Sequence, residues 1–337
     1  MSDQPEGQVP EAPTRSGVRH VEVTEDQAGV RLDNFLTRLL AGVPRSRVFR
    51  IVRKGEVRVN GKRASPEDRL QLGDKVRVPP LSMPSPDAPP AAARVPRTLI
   101  ETVRDSIITE NDRLLVINKP AGIAVHGGSG VSFGIIEALR AARPEETLEL
   151  VHRLDRDTSG CLLVARKPAA LRVLHAMMRD GQVEKGYLAL VKGPWDLGKK
   201  RIDVPLNTEG RMGGERTVRV QAGAKSAVSI FKPVQFFRNR ASVVEVDLQT
   251  GRTHQIRVHA AHVGHPVAGD DKYGDKDFNA RMREEGLTRM FLHAHRISFD
   301  WPNGGDFSAS APLPTDLAAV LDALAEATAE KSTRRRR

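Results

Sequence analysis

Val151-His152-Arg153-Leu154-Asp155-Arg156-Asp157-Thr158-Ser159-Gly160 is the stretch on which the reading of this chain turns. It sets a carboxylate among arginines in a glycine-terminated turn, directly ahead of the apolar run Cys161–Val164. Neighbouring cations favour a charged carboxylate. A charged, positioned aspartate can serve as a nucleophile, a base or a metal ligand. It can equally be half of a structural Arg–Asp pair, and local chemistry alone puts that reading first.

Around this stretch, short Val/Ile/Leu runs alternate with Gly, Pro, Asn and Asp: Leu114–Ile117, Cys161–Val164, Leu188–Val191 and Val243–Val246 read as strands. Helices are expected near Leu171–Met178 and His254–Val263, and a last one with Thr315 as N-cap and the spacing Leu317, Val320, Leu321, Leu324. Few strand–helix–strand crossovers can be drawn, so the expected class is α+β with a largely antiparallel sheet. Thr253 is a candidate cap for the helix near His254, which puts Arg257 on its first turn.

Upstream, Leu32, Phe35, Leu36 and Leu39 mark an amphipathic helix over Arg31–Leu40. Pro44 opens a second helix with Val48, Ile51 and Val52 on one face. Val57-Arg58-Val59 then runs into an Asn60-Gly61 turn, and Leu72–Val78 closes the segment as a strand. Between Arg45 and Arg63 stand eight Lys/Arg residues against one acid, Glu56. Arg45, Arg47, Arg50, Arg53, Lys54 and Arg58 are the candidate RNA contacts, because arginine forks match phosphate and structured RNA is read largely by shape. An ordinary solvated helix face is the plainer alternative, but so one-sided a charge is unusual for one.

The expected organisation is a disordered tail over 1–17, a small basic domain over 18–82, a Pro/Ala-rich linker over 83–98, a large domain over 99–325 and a basic tail over 326–337. The terminal Arg334–Arg337 run reads as a solvated end ahead of an RNA contact. The formal net charge of +11 suits a polyanionic partner. On its own it leaves nucleic-acid binding and simple solubility equally open. Apolar runs fall far short of the roughly 18 residues needed to cross a bilayer. The polar N-terminal stretch lacks an apolar segment of the secretory kind, and the one cysteine, Cys161, permits no intrachain disulfide. A cytoplasmic monomer is expected.

The large domain resembles the RluA-type family of pseudouridine synthases. His152–Gly160 (HRLDRDTSG) is its signature, and Leu115–Gly122 with Val125-His126, Lys185-Gly186-Tyr187, Thr250–His259, Gly269–Gly274 and Leu292-His293-Ala294 follow in the family's order. Arg31–Leu36, Val43–Lys62 and Leu72–Val78 resemble the S4 RNA-binding domain. The implied fold is an S4 (α-L) domain followed by a mixed, largely antiparallel catalytic domain. The implied activity is isomerisation of uridine in RNA, with the branch acting on large-subunit (23S) rRNA the most similar. A tRNA-modifying enzyme and a non-catalytic S4-type assembly factor are the alternatives. The resemblance makes Asp155 the catalytic aspartate, Arg257 its partner, Tyr187 a platform for the uracil and Arg153 a wedge that enters the RNA. Nothing is oxidised or added in the reaction, so neither cofactor nor metal is expected.

Other chemistries fit less well. His254, His259, His262 and His265 with Asp270 and Asp271 suggest a metal-dependent phosphodiesterase. Yet 254 and 259 do not share a helical face, and 265 lies past Gly264. Gly127-Gly128-Ser129-Gly130 lacks the Lys-Ser/Thr of a phosphate-binding loop, and Ser159-Gly160 lacks a nucleophile-elbow context.

Overall fold

Leu32, Leu36, Val48, Val52, Val57, Val76 and Val78 bury together as the core of the first of two units, Met1–Arg94 and Val95–Arg337. The computed structural model describes residues 17–40, 43, 45–80, 95–128, 131–212 and 215–334. The N-terminal tail before 17, residues 83–94 of the expected linker and Arg335–Arg337 therefore lie outside the described residues.

The first unit runs β1 (Arg19–Glu22), α1 (Leu32–Leu39), α2 (Arg45–Arg53), β2 (Arg58–Val59), β3 (Lys62–Arg63) and β4 (Lys75–Val78), with sheet order β1-β4-β2-β3. Asn60 and Gly61 both take positive φ, 50° and 76°, as a two-residue hairpin turn requires. The Asn60 side chain ties the turn to β4, accepting from Lys75 N and donating to Asp74, each at 2.8 Å.

The second unit comprises α3 (Arg97–Asp105), β5 (Ile107–Glu110), β6 (Leu114–Lys119), α4 (Ile135–Ala142), β7 (Glu149–Leu150), β8 (Ser159–Ala165), α5 (Pro168–Arg179), β9 (Glu184–Lys192), β10 (Lys200–Asp203), β11 (Leu206–Met212), β12 (Glu215–Val220), β13 (Val228–Phe237), β14 (Ala241–Leu248), α6 (Gln255–His262), α7 (Lys276–Glu284), β15 (Leu292–Asp300), β16 (Asp306–Ser310) and α8 (Thr315–Arg334). Its main sheet is ordered β10-β13-β14-β9-β15-β8-β6-β5, with β16 on β15 and β7 on β8. Among the described residues only β15 and β8 pair in parallel; the mixed, mostly antiparallel α+β expectation stands.

Central strands are apolar on both faces because both are covered. In β6, Leu115 and Ile117 join one core and Leu114 and Val116 the other; in β8, Leu162 and Val164 alternate likewise with Cys161, Leu163 and Ala165. The first core takes Val103 of α3, Leu139 of α4 and Ile256 of α6, the second Leu174 and Met177 of α5. Phe278 of α7 and Leu317, Val320 and Leu324 of α8 close a third.

Several expectations need correction. Helix α3 starts at Arg97, inside the span read as linker, because its apolar face buries Val103. Helix α8 continues to Arg334, past the boundary placed at 325, and Thr315 is its first helical residue, with Pro314 O accepting from Leu317 and Ala318. Thr253 does not cap α6. The N-cap is His254, in the left-handed region at φ 53°, and Gln255 accepts from Arg252 N at 3.0 Å.

Candidate active site

The loop carrying Asp155 is held by its neighbours before any chemistry is asked of it. Thr158 N donates to Asp155 O at 3.2 Å to close a turn, and Arg156 O accepts from Gly122 N at 2.9 Å. The fully buried Lys119, at the end of β6, gives its three ammonium hydrogens to Pro120 O, Ile123 O and Arg156 O at 2.7, 2.8 and 2.8 Å. Burial pushes this ammonium down to about 7, while the charges of Asp157 and Asp155 pull it back. Gly160 has φ 111° and lies where β8 meets β15; a Cβ there would stand 2.2 Å from Ala294 O. The glycine of the motif is thus fixed by sheet geometry.

Asp155 keeps 20% side-chain exposure and lines a 90 Å³ cleft with Arg153, Tyr187, Leu248, His254 and Arg257. Tyr187, on β9, is only 6% exposed, its ring held in the main core. Burial, then the Asp155 charge, pushes its phenol well above the usual range, so it stays protonated. His254 Nε2 lies 3.9 Å from Asp155 Oδ2 and its Nδ1 is 2.9 Å from Tyr273 Oη.

Arg257, in the first turn of α6, reaches Asp155 through Nη1 at 3.4 Å, long for a charge-assisted bond. Its fork goes elsewhere: Nε and Nη2 grip Asp270 at 2.7 and 2.8 Å, and the guanidinium lies 5.1 Å over the Tyr273 ring. Asp270 also accepts from Lys272 N and Tyr273 N at 2.9 and 3.1 Å. Burial works against its charge, but the Arg257 bonds outweigh it and hold the carboxyl below the usual range. The expected Arg257–Asp155 pairing is therefore one arm of an Asp270–Arg257–Asp155 chain, with the stronger arm on Asp270. Sequence reading missed that role for Asp270, though Gly269–Gly274 was singled out as a motif.

The structure brings Asp155, Tyr187, Arg257 and the exposed Arg153 to one cleft. Arg47 and Arg58 are partly exposed and Arg50, Arg53 and Lys54 exposed in the first unit; the Arg45 side chain lies outside the described residues. Among the described residues none of these five is ion-paired, whereas nearby Arg31 pairs with Asp33 and Glu67 at 2.8 and 3.7 Å. The histidines considered for a metal are apart: His259 bonds Ser229 and Val204 O, and His265 bonds Lys192 O. Among the described residues no cluster of three or more His, Cys, Asp or Glu is placed to hold a metal ion, and no helix is long and apolar enough to cross a membrane.

Residues 113–262 match the family described as RNA pseudouridylate synthase, and residues 30–76 match the S4 domain. The chain is 49% identical over 92% of its length, and 96% of the relative's, to ribosomal large subunit pseudouridine synthase C of Haemophilus influenzae. It is 47% identical to the protein of that name in Escherichia coli K12, over 92% of this chain and 98% of that one. Among solved structures, human RNA pseudouridylate synthase domain containing 1 is similar at 27% identity and a TM-score of 0.53, covering 66% of this chain and 94% of that one. With the motif-bearing loop, the cleft and nearly full-length relatives in agreement, the chain belongs to the RNA pseudouridylate synthase family, isomerases that turn uridine into pseudouridine in RNA.

Proposed function

We propose that this protein isomerises specific uridines of large-subunit ribosomal RNA, with Asp155 as the reacting carboxylate, in the cytoplasm and as a monomer. The observation that carries this reading is the placement of Asp155: partly exposed in a cleft that Tyr187 also lines, with the Arg257 guanidinium 3.4 Å away. The names of the relatives support the choice of RNA.

In the reaction the C1′–N1 bond breaks, the uracil turns, and C1′ joins C5. C5 loses a proton and N1 gains one, so the balance is an isomerisation. A carboxylate beside the sugar serves either route: covalent addition to C1′ or C6, or removal of the C2′ proton to give a glycal. The fork on Asp270 keeps Arg257 rigid, so the third nitrogen faces Asp155 without reorganisation. Extruding the base costs a few kcal/mol, and stacking on an aromatic ring returns roughly 1–3 kcal/mol. Tyr187 supplies the ring, and Arg153, exposed and lining the same cleft, would fill the gap left in the RNA.

Mapping pseudouridines in total RNA from cells with and without the protein identifies substrate and position together; unchanged maps end the assignment. Asp155→Asn is expected to lower turnover by at least about a thousandfold while leaving the melting temperature and RNA affinity near wild type, as measured on an unmodified large-subunit rRNA transcript.

A further inference from the structure

A second cavity, of 480 Å³, adjoins the Asp155 cleft; Arg153, Tyr187, Leu248, Gly251 and Arg252 line both. Its walls carry four cations, Arg153, Arg179, Lys185 and Arg252, and no carboxylate. Lys185 is the unusual one, at only 9% exposure on a central strand. Among the described residues it has no ion pair or side-chain hydrogen bond, and the same holds for Arg153 and Arg179. Arg252 donates Nε to Ser226 O at 3.1 Å. Burial lowers the Lys185 ammonium, and no acidic neighbour offsets it. A buried cation without a partner is costly, and cores retain one only where something else answers its charge.

We propose that this cavity seats an RNA phosphodiester, the one beside the extruded uridine, with Lys185 as the buried counter-charge and Arg179 and Arg252 at the rim. The strand sets the spacing. Lys185 and Tyr187 are two residues apart on β9, so they share a face, separated by roughly 6.7 Å along the chain. One strand repeat therefore links the platform for the base to the seat for its neighbouring phosphate. Uracil is neutral, so the Tyr187 cleft alone gives the RNA little electrostatic hold; a charged anchor one step away fixes which nucleotide faces Asp155. This assignment rests on the reading that the target uridine occupies the Asp155 cleft.

The test compares the full-length wild type with Lys185→Met on an unmodified large-subunit rRNA transcript. The expected results are kcat/KM lower by about tenfold, chiefly through KM, and a log(kcat/KM)-versus-log[salt] slope shallower by about 0.7, one phosphate contact on a single strand. The melting temperature should be unchanged or higher, since a stranded charge is gone. In a synthetic fragment around the modified uridine, a methylphosphonate at one flanking phosphate should impair the wild type and add nothing to the loss in Lys185→Met. An unchanged slope, or additive losses, overturns the proposal; a lower melting temperature with an unchanged slope makes Lys185 a structural residue instead. Should Lys185→Met not fold, Arg179→Ala, exposed on α5, carries the same slope test. The methylphosphonate also separates the sources of the anion: a wild type indifferent to it at either flanking phosphate would leave the cavity to a free anion and overturn the RNA assignment. Asp155→Asn keeps the two readings distinguishable: if it still forms pseudouridine the cleft reading falls, whereas the salt slope of RNA binding tests the cavity regardless.

Discussion

Arg257 serves two carboxylates with different exposure, and that difference decides what its loss does. Asp270 has no side-chain exposure, whereas Asp155 keeps 20%. Arg257→Ala strands the buried carboxylate at 270, at a cost of about 3–5 kcal/mol for a desolvated pair broken on one side. In the wild type the Asp270 carboxyl titrates below its unfolded value of 3.8. The pair's contribution is thus fully present above that value and lost as pH falls through the still lower folded one. Without Arg257, burial, the largest influence on Asp270, is opposed only by the Lys272 and Tyr273 amides and pushes the carboxyl upward, so the variant recovers relative stability on acidification. Urea midpoints between pH 7 and 4 should show the gap between wild type and Arg257→Ala narrowing as pH falls; a constant gap would mean that Asp270 is not the stranded charge. Arg257→Ala with Asp270→Asn should regain much of the stability and none of the turnover. The residue types of this site could be read from the sequence, but the fork's choice of partner could not: Asp155 and Asp270 are both acids beside basic residues in motifs, and only burial ranks them.

The elements that position the site owe their order to strand alternation and close backbone contact. The runs at Leu114–Ile117 and Cys161–Val164 were legible as strands because burial on both faces leaves no polar position in them. The hairpin of β11 and β12 was not, since Leu-Asn-Thr-Glu-Gly-Arg-Met offers almost no apolar periodicity. Yet Val218 N on that hairpin donates to Tyr273 Oη at 2.9 Å, and that oxygen faces His254 in the cleft. The buried Lys185 was visible only as part of a motif, because nothing local marks a lysine that points inward. Gly160 is where element geometry is least forgiving. Gly160→Ala would force a Cβ within 2.2 Å of a neighbouring strand's carbonyl at a φ of 111°. Expression should yield little folded protein, read as loss of a cooperative thermal transition; a variant melting within a few degrees of wild type would show that β8 and β15 can part without cost.

At the scale of the whole chain, the charge of +11 is unevenly deployed. In the first unit, Arg47, Arg50, Arg53, Lys54 and Arg58 stay free of ion pairs among the described residues on a helix and hairpin whose apolar face is fully used by their own core. In the second unit Arg153, Arg179 and Lys185, without ion pairs among the described residues, line the cavity that adjoins the cleft. Each unit has its own hydrophobic clusters, and the core around Leu115, Leu162 and Tyr187 draws only on residues beyond 94. A chain of residues 95–337 should therefore fold, with a cooperative transition near that of the second unit in the intact protein. Removing the first unit takes away phosphate contacts worth about 0.7–0.9 in salt slope each. Binding to a large-subunit rRNA transcript should weaken several-fold at low salt, with a shallower slope, while a short fragment holding only the target uridine should be modified at a rate close to the intact protein's. If the shortened protein bound the long transcript with the original slope, the basic helix would be a solvated face after all, and recognition would reside in the cleft-bearing unit alone.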